Sequence, residues 1–449
     1  MVMREVFLAN AYADKGIVTE ALQALIDKAA EVGGQVRFGP GNYETTTLYM
    51  RSGVSLYLDA GARIIGTADY KAYSHDFPYQ NNPDMDEVTG KPRWHDALIN
   101  CGYLKDISIE GHGLIDGADV YNPEGEQDFR GPMLLMIHHC ENVEIKGVTL
   151  LRAANYSTFL DGCKNVLLEK VRAFGGQDAL RMFRSDEIEV SHCDFRSGDD
   201  CVSGSLLTNM YIHDSMFNSP GGNVILLGCR NLHVKDCKIW SQGEAPAIFK
   251  EDKRYSNGLN AIVMHHHVNR PDYVMSDNWL IEDVEIENIE RVFCYDIDDF
   301  TIYGDNGKAT LKNITAKNFV YPIYINGYNT ENFELHIEGG KFIRSTIDKR
   351  EDKSFIRAKT FKKISIRDIV MENVDDDVFF FENGGEVEVK DAAILRKATS
   401  INTNNVEKSS VENSVVETMG DFYVYDEVDS IYVPKDQDET FRGARKFVG

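Results

Sequence analysis

Five segments of the chain repeat one pattern: CENVEIKGVTLL (140–151), CKNVLLEKVRAF (163–174), SDEIEVSHCDFR (185–196), LTNMYIHDSMFN (207–218) and CRNLHVKDCKIW (229–240). Their equivalent apolar positions are Val143, Val166, Ile188, Met210 and Leu232, so the steps between them are 23, 22, 22 and 22 residues. Apolar and polar residues alternate within each segment, which is typical of a strand with one buried face. Repetition at a fixed interval of about 20 to 30 residues indicates a solenoid, in which each unit buries its apolar face against its neighbours.

Turn residues, not amphipathic helices, separate these short strands, so repeats of the strand–helix type are disfavoured. The pattern predicts an all-β fold, a right-handed parallel β-helix with about three short strands in each coil. Similar segments run from GVSLYLDAGARIIG (53–66) to GGEVEVKDAAIL (384–395), so the solenoid is expected to fill most of the chain.

One helical pattern, VTEALQALIDKAAEVGG (18–34), precedes the repeats, and its Gly pair stops the helix. We expect this helix to cap the open end of the solenoid and to shield its edge strands. The expected organisation is a single domain over residues 1–449, with an N-terminal cap over about 1–45 and a less regular tail over about 420–449.

The amino-acid composition and the net charge limit the kinds of molecule that the protein can bind. Hydrophobic residues make up 43% of the 449 residues, which is enough for a large core. The formal net charge of −24 argues against nucleic acids and membrane surfaces as partners, because either would need a basic face. No stretch approaches the roughly 18 apolar residues of a membrane span.

Eight cysteines show neither CxxC pairs nor zinc-ligand spacing, so they are expected to be reduced and buried. The first residues show no signal-peptide pattern. These two observations predict a cytoplasmic location. A secreted location would follow only if a signal had been removed from the chain.

The same interval relates two acidic loops, GGQDA (175–179) and SGDDC (197–201). Residues one period apart stack on adjacent rungs, about 4.8 Å apart, so Asp178 is expected beside Asp199 and Asp200. Such crowding raises the pKa of at least one carboxyl, and a protonated acid beside ionised neighbours is what glycosidic cleavage requires. SGDD alone would be interpreted as a solvated turn, but the stacked Asp178 and the aromatic Tyr156 one rung away favour a catalytic site.

The chain also resembles glycoside hydrolase family 28, the polygalacturonase family. ISIEGHGLIDG (107–117) is similar to the family's I-x-G-x-G-x-I-D-G, GQDA lies where the family has N-T-D-G, and SGDDC contains its G-D-D-C. The resemblance covers about residues 15–330 and implies inverting hydrolysis with no metal and no cofactor. It implies that Asp199 is the general acid and that Asp178 and Asp200 hold the attacking water.

Departures from the family pattern concern the substrate. The family's G-H-G is GNV here, so its His becomes Asn223, and its Trp becomes Tyr156. Its R-I-K is IFK, which keeps Lys250 and puts Ile248 in place of Arg. Losing that guanidinium removes a bidentate clamp for a carboxylate, so we expect altered recognition, such as a branched pectic oligosaccharide or a neutral sugar beyond the cut.

Three further residues enter the substrate hypothesis. Arg181 and Arg184, near Asp178, are either a relocated carboxylate clamp or salt bridges between rungs. In MHHHVNR (264–270), consecutive His residues cannot all face one ion in an extended chain, so no metal is expected. Substrate contact or simple loop exposure is expected instead, and His266 is the candidate contact. The candidate substrate-binding residues are Tyr156, Arg181, Asn223, Lys250 and His266.

The expected function is a glycoside hydrolase acting on oligosaccharides or polysaccharides of the pectin type. Long insertions, such as that at 251–278, would close one end of a groove and enforce exo action. One alternative is a uronate-directed lyase or epimerase, which abstracts a proton beside a carboxylate. Another is a carbohydrate-binding β-helix without turnover.

Overall fold

A computed structural model describes residues 4–74, 96–245, 258–265, 274–297, 306–344, 354–372, 378–395 and 400–412. These ranges contain many strands, one α-helix, α1 (Thr19–Ala30), and three short 3-10 turns at Asn10–Tyr12, Tyr70–Ala72 and Glu126–Asp128. The chain divides into two compact units, residues 1–202 with 245–253 and residues 203–244 with 254–449. In the part of the chain described, none of the helices has the length and apolarity needed to cross a bilayer.

The first unit is an all-parallel β-solenoid. Its strands are β1 (Val6–Leu8), β2 (Gln35–Phe38), β3 (Gly41–Thr45), β4 (Leu48–Tyr49), β5 (Ser55–Leu58), β6 (Ala62–Gly66), β7 (Ala97–Gly102), β8 (Lys105–Gly111), β9 (Leu114–Asp116), β10 (Met133–His138), β11 (Glu141–Lys146), β12 (Thr149–Leu151), β13 (Thr158–Asp161), β14 (Lys164–Glu169), β15 (Arg172–Phe174), β16 (Leu180–Phe183), β17 (Asp186–Ser191) and β18 (Asp194–Arg196).

Three parallel sheets arise because every third strand pairs with its equivalent in the next coil. One sheet contains β2, β5, β8, β11, β14 and β17, a second contains β3, β6, β9, β12, β15 and β18, and a third contains β4, β7, β10, β13 and β16. Val143 pairs with Val166, and Val166 pairs with Ile188, as the sequence interval predicts. All three side chains are buried. The predicted parallel solenoid with three strands per coil is therefore confirmed for this unit.

A ladder of polar side chains follows one turn of this solenoid. Asp106, Asn142 and Asn165 occupy equivalent positions on successive coils and have positive φ of 56°, 59° and 55°. Asn142 donates from Nδ2 to Asp106 Oδ1 at 2.7 Å, and Asn165 donates to Asn142 Oδ1 at 2.7 Å. Asn and Asp tolerate the left-handed conformation better than other residues with a Cβ. We call these three residues the asparagine ladder.

The helix α1 lies before the coils and packs on β1, β2 and β4. Its buried face consists of Leu22, Ile26 and Ala29, which recur at helical spacing. The chain leaves the helix through Gly33, whose φ is +62°, and the Gly34 amide donates to Ala29 O at 2.8 Å. This is the glycine-terminated helix end that the sequence predicts.

The second unit is also built from parallel strands. They are β19 (Val202–His213, of which Val202 belongs to the first unit), β20 (Met216–Asn218), β21 (Asn223–Lys235), β22 (Lys238–Trp240), β23 (Gly258–Met264), β24 (Asp277–Glu282), β25 (Glu285–Asp296), β26 (Lys308–Asn326), β27 (Glu334–Ile343), β28 (Ser354–Arg367), β29 (Val370–Glu372), β30 (Val378–Lys390), β31 (Ala393–Leu395) and β32 (Ser400–Glu412).

An equivalent ladder runs through the second unit, where Asn231 donates to Asn209 Oδ1 at 2.8 Å and Asn278 donates to Asn231 Oδ1 at 3.0 Å. The expected tail at about 420–449 lies outside the described residues. The single-domain organisation stays a prediction.

Candidate active site

Backbone hydrogen bonds stack three loops of the first unit on successive coils. The Ser157 amide donates to Asp178 O at 3.0 Å, and the Ala179 amide donates to Asp200 O at 3.1 Å. The loops 155–157, 177–179 and 199–201 thus form a stack that we call the loop column. It places Asp178 and Asp200 on adjacent rungs, at the spacing that the 22-residue interval predicts.

The three carboxylates differ in their access to solvent. Asp178 is 4% exposed and Asp200 is 7% exposed, whereas Asp199 is half-buried. Adjacent rungs are separated by about 4.8 Å, so the site concentrates negative charge where little water screens it. The arrangement therefore offers two deep carboxylates and one that is more accessible.

Glycine is required where the chain turns into Asp178. Gly175 and Gly176 have φ of +84° and +82°. A Cβ on Gly176 would lie 2.9 Å from Asn155 O and 3.1 Å from Ala153 Cβ. The turn and the close packing of the rung below together exclude a larger side chain.

Gln177 is a buried polar residue that the sequence did not mark. Its backbone is held on both sides, because its amide donates to Asn155 O at 3.0 Å and its carbonyl accepts from the Asp199 amide at 3.1 Å. Its side chain is 0% exposed, and neither amide atom has a hydrogen-bond partner among the described residues. A buried amide in this state is costly for stability, so Gln177 is a candidate polar residue of the site.

Arg181, on β16, lies against the column. Its Nη1 is 3.7 Å from Asp178 Oδ2, and its guanidinium carbon is 4.8 Å from the centre of the Phe183 ring. The side chain is 17% exposed, and its Nε is buried without a hydrogen-bond partner in the described part of the chain. Arg181 therefore keeps donor capacity beside the candidate carboxylates.

Arg184 has a different environment. Its Nε donates to Asp161 Oδ1 at 2.9 Å, and its Nη2 pairs with Asp161 Oδ2, so a carboxylate of the preceding coil takes two of its donors. Of the two interpretations open for this residue, the structure favours the salt bridge between rungs.

Tyr156 supplies an aromatic surface within the loop column. Its half-buried ring packs against a buried cluster of Ala97, Met133, Met136, Phe159 and Phe183. The ring is nearly parallel to that of Phe159, with centroids 6.0 Å apart and an interplanar angle of 16°. A flat aromatic surface beside carboxylates is suited to packing against the apolar face of a sugar ring.

Arg130 is a second residue that sequence reasoning missed. It is 7% exposed, lies just before β10, and places its guanidinium carbon 5.1 Å from the centre of the Tyr156 ring. It lies in an insertion between strands, where the repeat gives no period to predict its neighbours. The only signal was a basic residue directly following the acidic stretch EGEQDF (124–129).

The remaining candidates lie in the second unit or outside the described residues. Asn223 begins β21 of the second unit, and its Oδ1 accepts from Asn260 Nδ2 at 2.6 Å. Lys250 and His266 lie outside the described residues, as does Ile248. Within the described ranges, no group of three or more His, Cys, Asp or Glu side chains could hold a metal ion.

Comparison with known proteins gives consistent matches. Residues 71–245 match the family model described as "Glycosyl hydrolases family 28", and this segment includes the whole loop column. An exopolygalacturonase of Oenothera organensis is 28% identical over 120 residues, or 23% of this chain and 32% of that protein. A polygalacturonase of Nicotiana tabacum is 23% identical over 156 residues, or 31% of this chain and 39% of that protein.

The chain thus spans about a third of the length of the curated relatives that it matches. A solved structure, a hyperthermoactive exopolygalacturonase from Thermotoga maritima, is similar with a TM-score of 0.56 at 13% identity, covering 91% of this chain and 93% of that one. At this identity the likeness concerns the fold alone. Residues 71–245 thus resemble glycosyl hydrolase family 28, and the fold resembles that of a solved exopolygalacturonase.

Proposed function

We propose that the protein is a glycoside hydrolase that cleaves pectin-like oligosaccharides by carboxylate acid/base catalysis. The observation that carries the proposal is the loop column, in which Asp178 and Asp200 lie on adjacent rungs with Asp199 beside them, inside the segment that matches the family model. Glycosidic cleavage needs one carboxyl to protonate the leaving oxygen and another to activate water. Three clustered carboxylates supply both functions.

The difference in exposure supports a division of roles. Asp199 is the most accessible of the three and is proposed as the general acid, because this group must reach the glycosidic oxygen of a bound sugar. Asp178 and Asp200 are nearly buried and are proposed to hold the attacking water. No cofactor is assigned to this chemistry.

The proposed stereochemical outcome is inversion. Asp199 lies opposite Gln177, so it is displaced from Asp178 by one rung and one residue. Backbone displacements of about 4.8 Å and about 3.3 Å combine to about 6 Å, between the roughly 5–5.5 Å of retaining and 6.5–9.5 Å of inverting enzymes, so the proposal of inversion follows the resemblance to family 28. Proton NMR of the first-formed product tests this, and retention of the anomeric configuration would contradict it.

The test of the activity is a reducing-end assay over pectic and non-pectic oligosaccharides, followed by Asp199→Asn and Asp178→Asn on the best substrate. We expect each variant to lose about 10³-fold in kcat while substrate binding is retained. Asp106→Asn is the matched control, because this substitution is isosteric, lies in the same unit and fits the asparagine ladder. Full activity in either site variant would refute the assignment.

The same assay separates the alternatives. A product with a new ultraviolet absorption, from a double bond, would indicate a lyase. Binding without any turnover would indicate a carbohydrate-binding β-helix.

Substrate recognition is proposed to differ from that of polygalacturonases and to be exo-acting. Arg181 retains donor capacity beside Asp178, which supports its role as a substrate contact together with Tyr156. Asn223, Lys250 and His266 remain proposed contacts. Chromatography of early products tests the mode of action, since exo cleavage releases a single short product and endo cleavage gives a ladder of sizes.

We also propose a right-handed winding, a capping role for α1 and a cytoplasmic location. The handedness of parallel crossovers supports the first, and the packing of α1 on β1, β2 and β4 supports the second. All eight cysteines are free and buried, which supports a reducing compartment. Fractionation of the source cells tests the location.

A further inference from the structure

The segment 118–131 is a well-packed loop that places the buried guanidinium of Arg130 beside the site. The Asn122 amide donates to Phe129 O at 3.0 Å, and the Gly125 amide donates to Asn122 O at 3.0 Å. A Cβ on Gly125 would lie 2.1 Å from Arg130 O, and one on Gly131 would lie 1.9 Å from Val120 O. Both glycines are needed for this close packing, which fixes the backbone of Arg130 between them.

Three contacts of the Arg130 guanidinium bear on the site. Nε donates to Gln127 Oε1 at 3.1 Å, Nη1 donates to Asn155 Oδ1 at 3.0 Å, and the guanidinium carbon is 5.1 Å from the centre of the Tyr156 ring. The first contact lies within the loop, and the other two reach the first rung of the loop column. Arg130 therefore ties the loop to the two residues that precede Ser157.

Hydrogen bonds continue from Asn155 towards the acidic residues. Its carbonyl accepts from the Gln177 amide at 3.0 Å, and the Gln177 carbonyl accepts from the Asp199 amide at 3.1 Å. One route of consecutive hydrogen bonds thus runs from Arg130 through Asn155 and Gln177 to Asp199. The position of Asn155 helps to set the height of the Asp199 backbone on the next coils.

We propose that Arg130 is a positioning residue of this site, which fixes the Tyr156 ring as a sugar-facing surface and the Asn155–Gln177–Asp199 stack as a unit. Burying a guanidinium is costly, and a structural role alone does not require that it stack on the aromatic residue next to the carboxylates. Because Arg130 is 7% exposed, it acts through Tyr156 and Asn155 and not by touching substrate. The kinetic part of this inference rests on the proposed hydrolase function, and the structural part does not.

The first experiment measures hydrogen–deuterium exchange in the wild type and in Arg130→Met. We expect exchange in segments 155–157, 177–179 and 199–201 to be about tenfold faster in the variant, while β11 and β14 stay protected. Arg184→Met is the matched control, since it removes a half-buried guanidinium of the same unit that pairs with Asp161. It should not change exchange in the three loops. Unchanged loop exchange in Arg130→Met would overturn the proposal, whether or not the protein is a hydrolase.

The second experiment measures hydrolysis of polygalacturonic acid and of the best oligosaccharide from the screen. Loss of the charged hydrogen bond to Asn155 and of the cation–π contact with Tyr156, together with the bond to Gln127, predicts a decrease of about 30-fold in kcat/KM for Arg130→Met. Arg130→Lys keeps the charge and is the second variant, for use if Arg130→Met does not fold. It should recover little activity, because an ammonium group cannot replace the planar guanidinium. Wild-type kcat/KM in both Arg130 variants would overturn the proposal. If the wild type shows no hydrolysis, the hydrolase function fails, and the exchange experiment still decides the role of Arg130.

Discussion

The asparagine ladder and the loop column are two stacks with the same spacing and opposite chemistry. In the ladder, each Asn donates to the carbonyl or carboxylate oxygen of the coil before it, so polar groups of neighbouring rungs satisfy one another. In the column, Asp178 and Asp200 lie on adjacent rungs, and the side-chain amide of Gln177 is buried without a hydrogen-bond partner in the described residues. Stacked Asn residues that bond to one another stabilise a solenoid, whereas stacked acidic residues are costly for stability and mark the candidate site.

The largest effect on activity is expected when one carboxylate of the loop column is replaced by a neutral amide. Asp200→Asn should lower kcat by about 10³-fold on the substrate identified by the screen. The free energy of unfolding should stay constant or rise by up to about 1 kcal/mol, because one of the crowded like charges is removed. Urea unfolding and steady-state kinetics measure the two quantities. A less stable protein with full activity would reverse the comparison.

In the asparagine ladder we expect the reverse result, a loss of stability with activity retained. Asn142→Ala removes one donor and one acceptor and puts Ala at a φ of +59°. We expect a loss of about 2 kcal/mol in the free energy of unfolding, with kcat within a factor of about two of the wild type.

Asn142→Gly separates the two causes of this loss, because it restores the backbone freedom and leaves only the hydrogen bonds missing. Equal stability of the Ala and Gly variants would show that the left-handed conformation costs nothing at this turn. Urea midpoints at constant m-value give both values.

A smaller gain in stability is expected at the coil where a Glu takes the place of the ladder Asn. Glu187, opposite Asn165, has a φ of +56°, and its ion pair with Lys164 at 3.5 Å is exposed at both side chains. Glu187→Asn should raise the free energy of unfolding by about 0.5–1 kcal/mol, because Asn is better suited to this backbone and the lost ion pair contributes little. Glu189→Asn, on the extended part of β17, is the control and should give no gain.

The smallest effect is expected from a third stack, of thiols. Burial raises the pKa of Cys140 to about 11 and that of Cys163 to about 12. Both thiols stay protonated at pH 8, so the native protein should not react with a thiol reagent within hours. Ellman titration with and without denaturant measures this. Rapid reaction of the native protein would contradict the buried position of these residues.

The same pKa shifts predict that the stability of the protein depends on pH. In the unfolded chain these thiols ionise near their ordinary value of 9.0, whereas in the folded chain they retain their protons to about pH 11. The folded state therefore binds more protons above pH 9, and its stability should fall as the pH rises through that range. Below about pH 8 the thiols do not contribute to the pH dependence of the free energy of unfolding.

The sequence was sufficient for the strand register, because alternation and a constant interval leave one alignment of Val143, Val166 and Ile188. The same interval predicted that Asp178 and Asp200 lie on adjacent rungs. The ladder had a visible signal, an Asn directly before the apolar position in most segments, but its left-handed backbone was not inferred from it.

Arg130 and Gln177 could not be predicted in the same way. Arg130 lies in an insertion, where no repeat specifies the contacts of a side chain. Gln177 lies in the loop itself, but whether its amide is buried depends on packing that alternation does not describe. Roles for Lys250 and His266 likewise stay predictions, because both residues lie outside the described residues.

Pairing between consecutive coils has a consequence for synthesis on the ribosome. In the first unit each strand from β11 to β15 pairs only with its equivalents one coil earlier and one coil later. A nascent chain can therefore add a coil as soon as the next 22 or so residues emerge. The longest steps are those of β4 with β7, β5 with β8 and β6 with β9, whose partners Leu48 and Ile99, Ser55 and Ser108, and Arg63 and Leu114 are 51, 53 and 51 residues apart. The extra closure entropy there is below about 1 kcal/mol, so these pairings delay assembly and hardly weaken it.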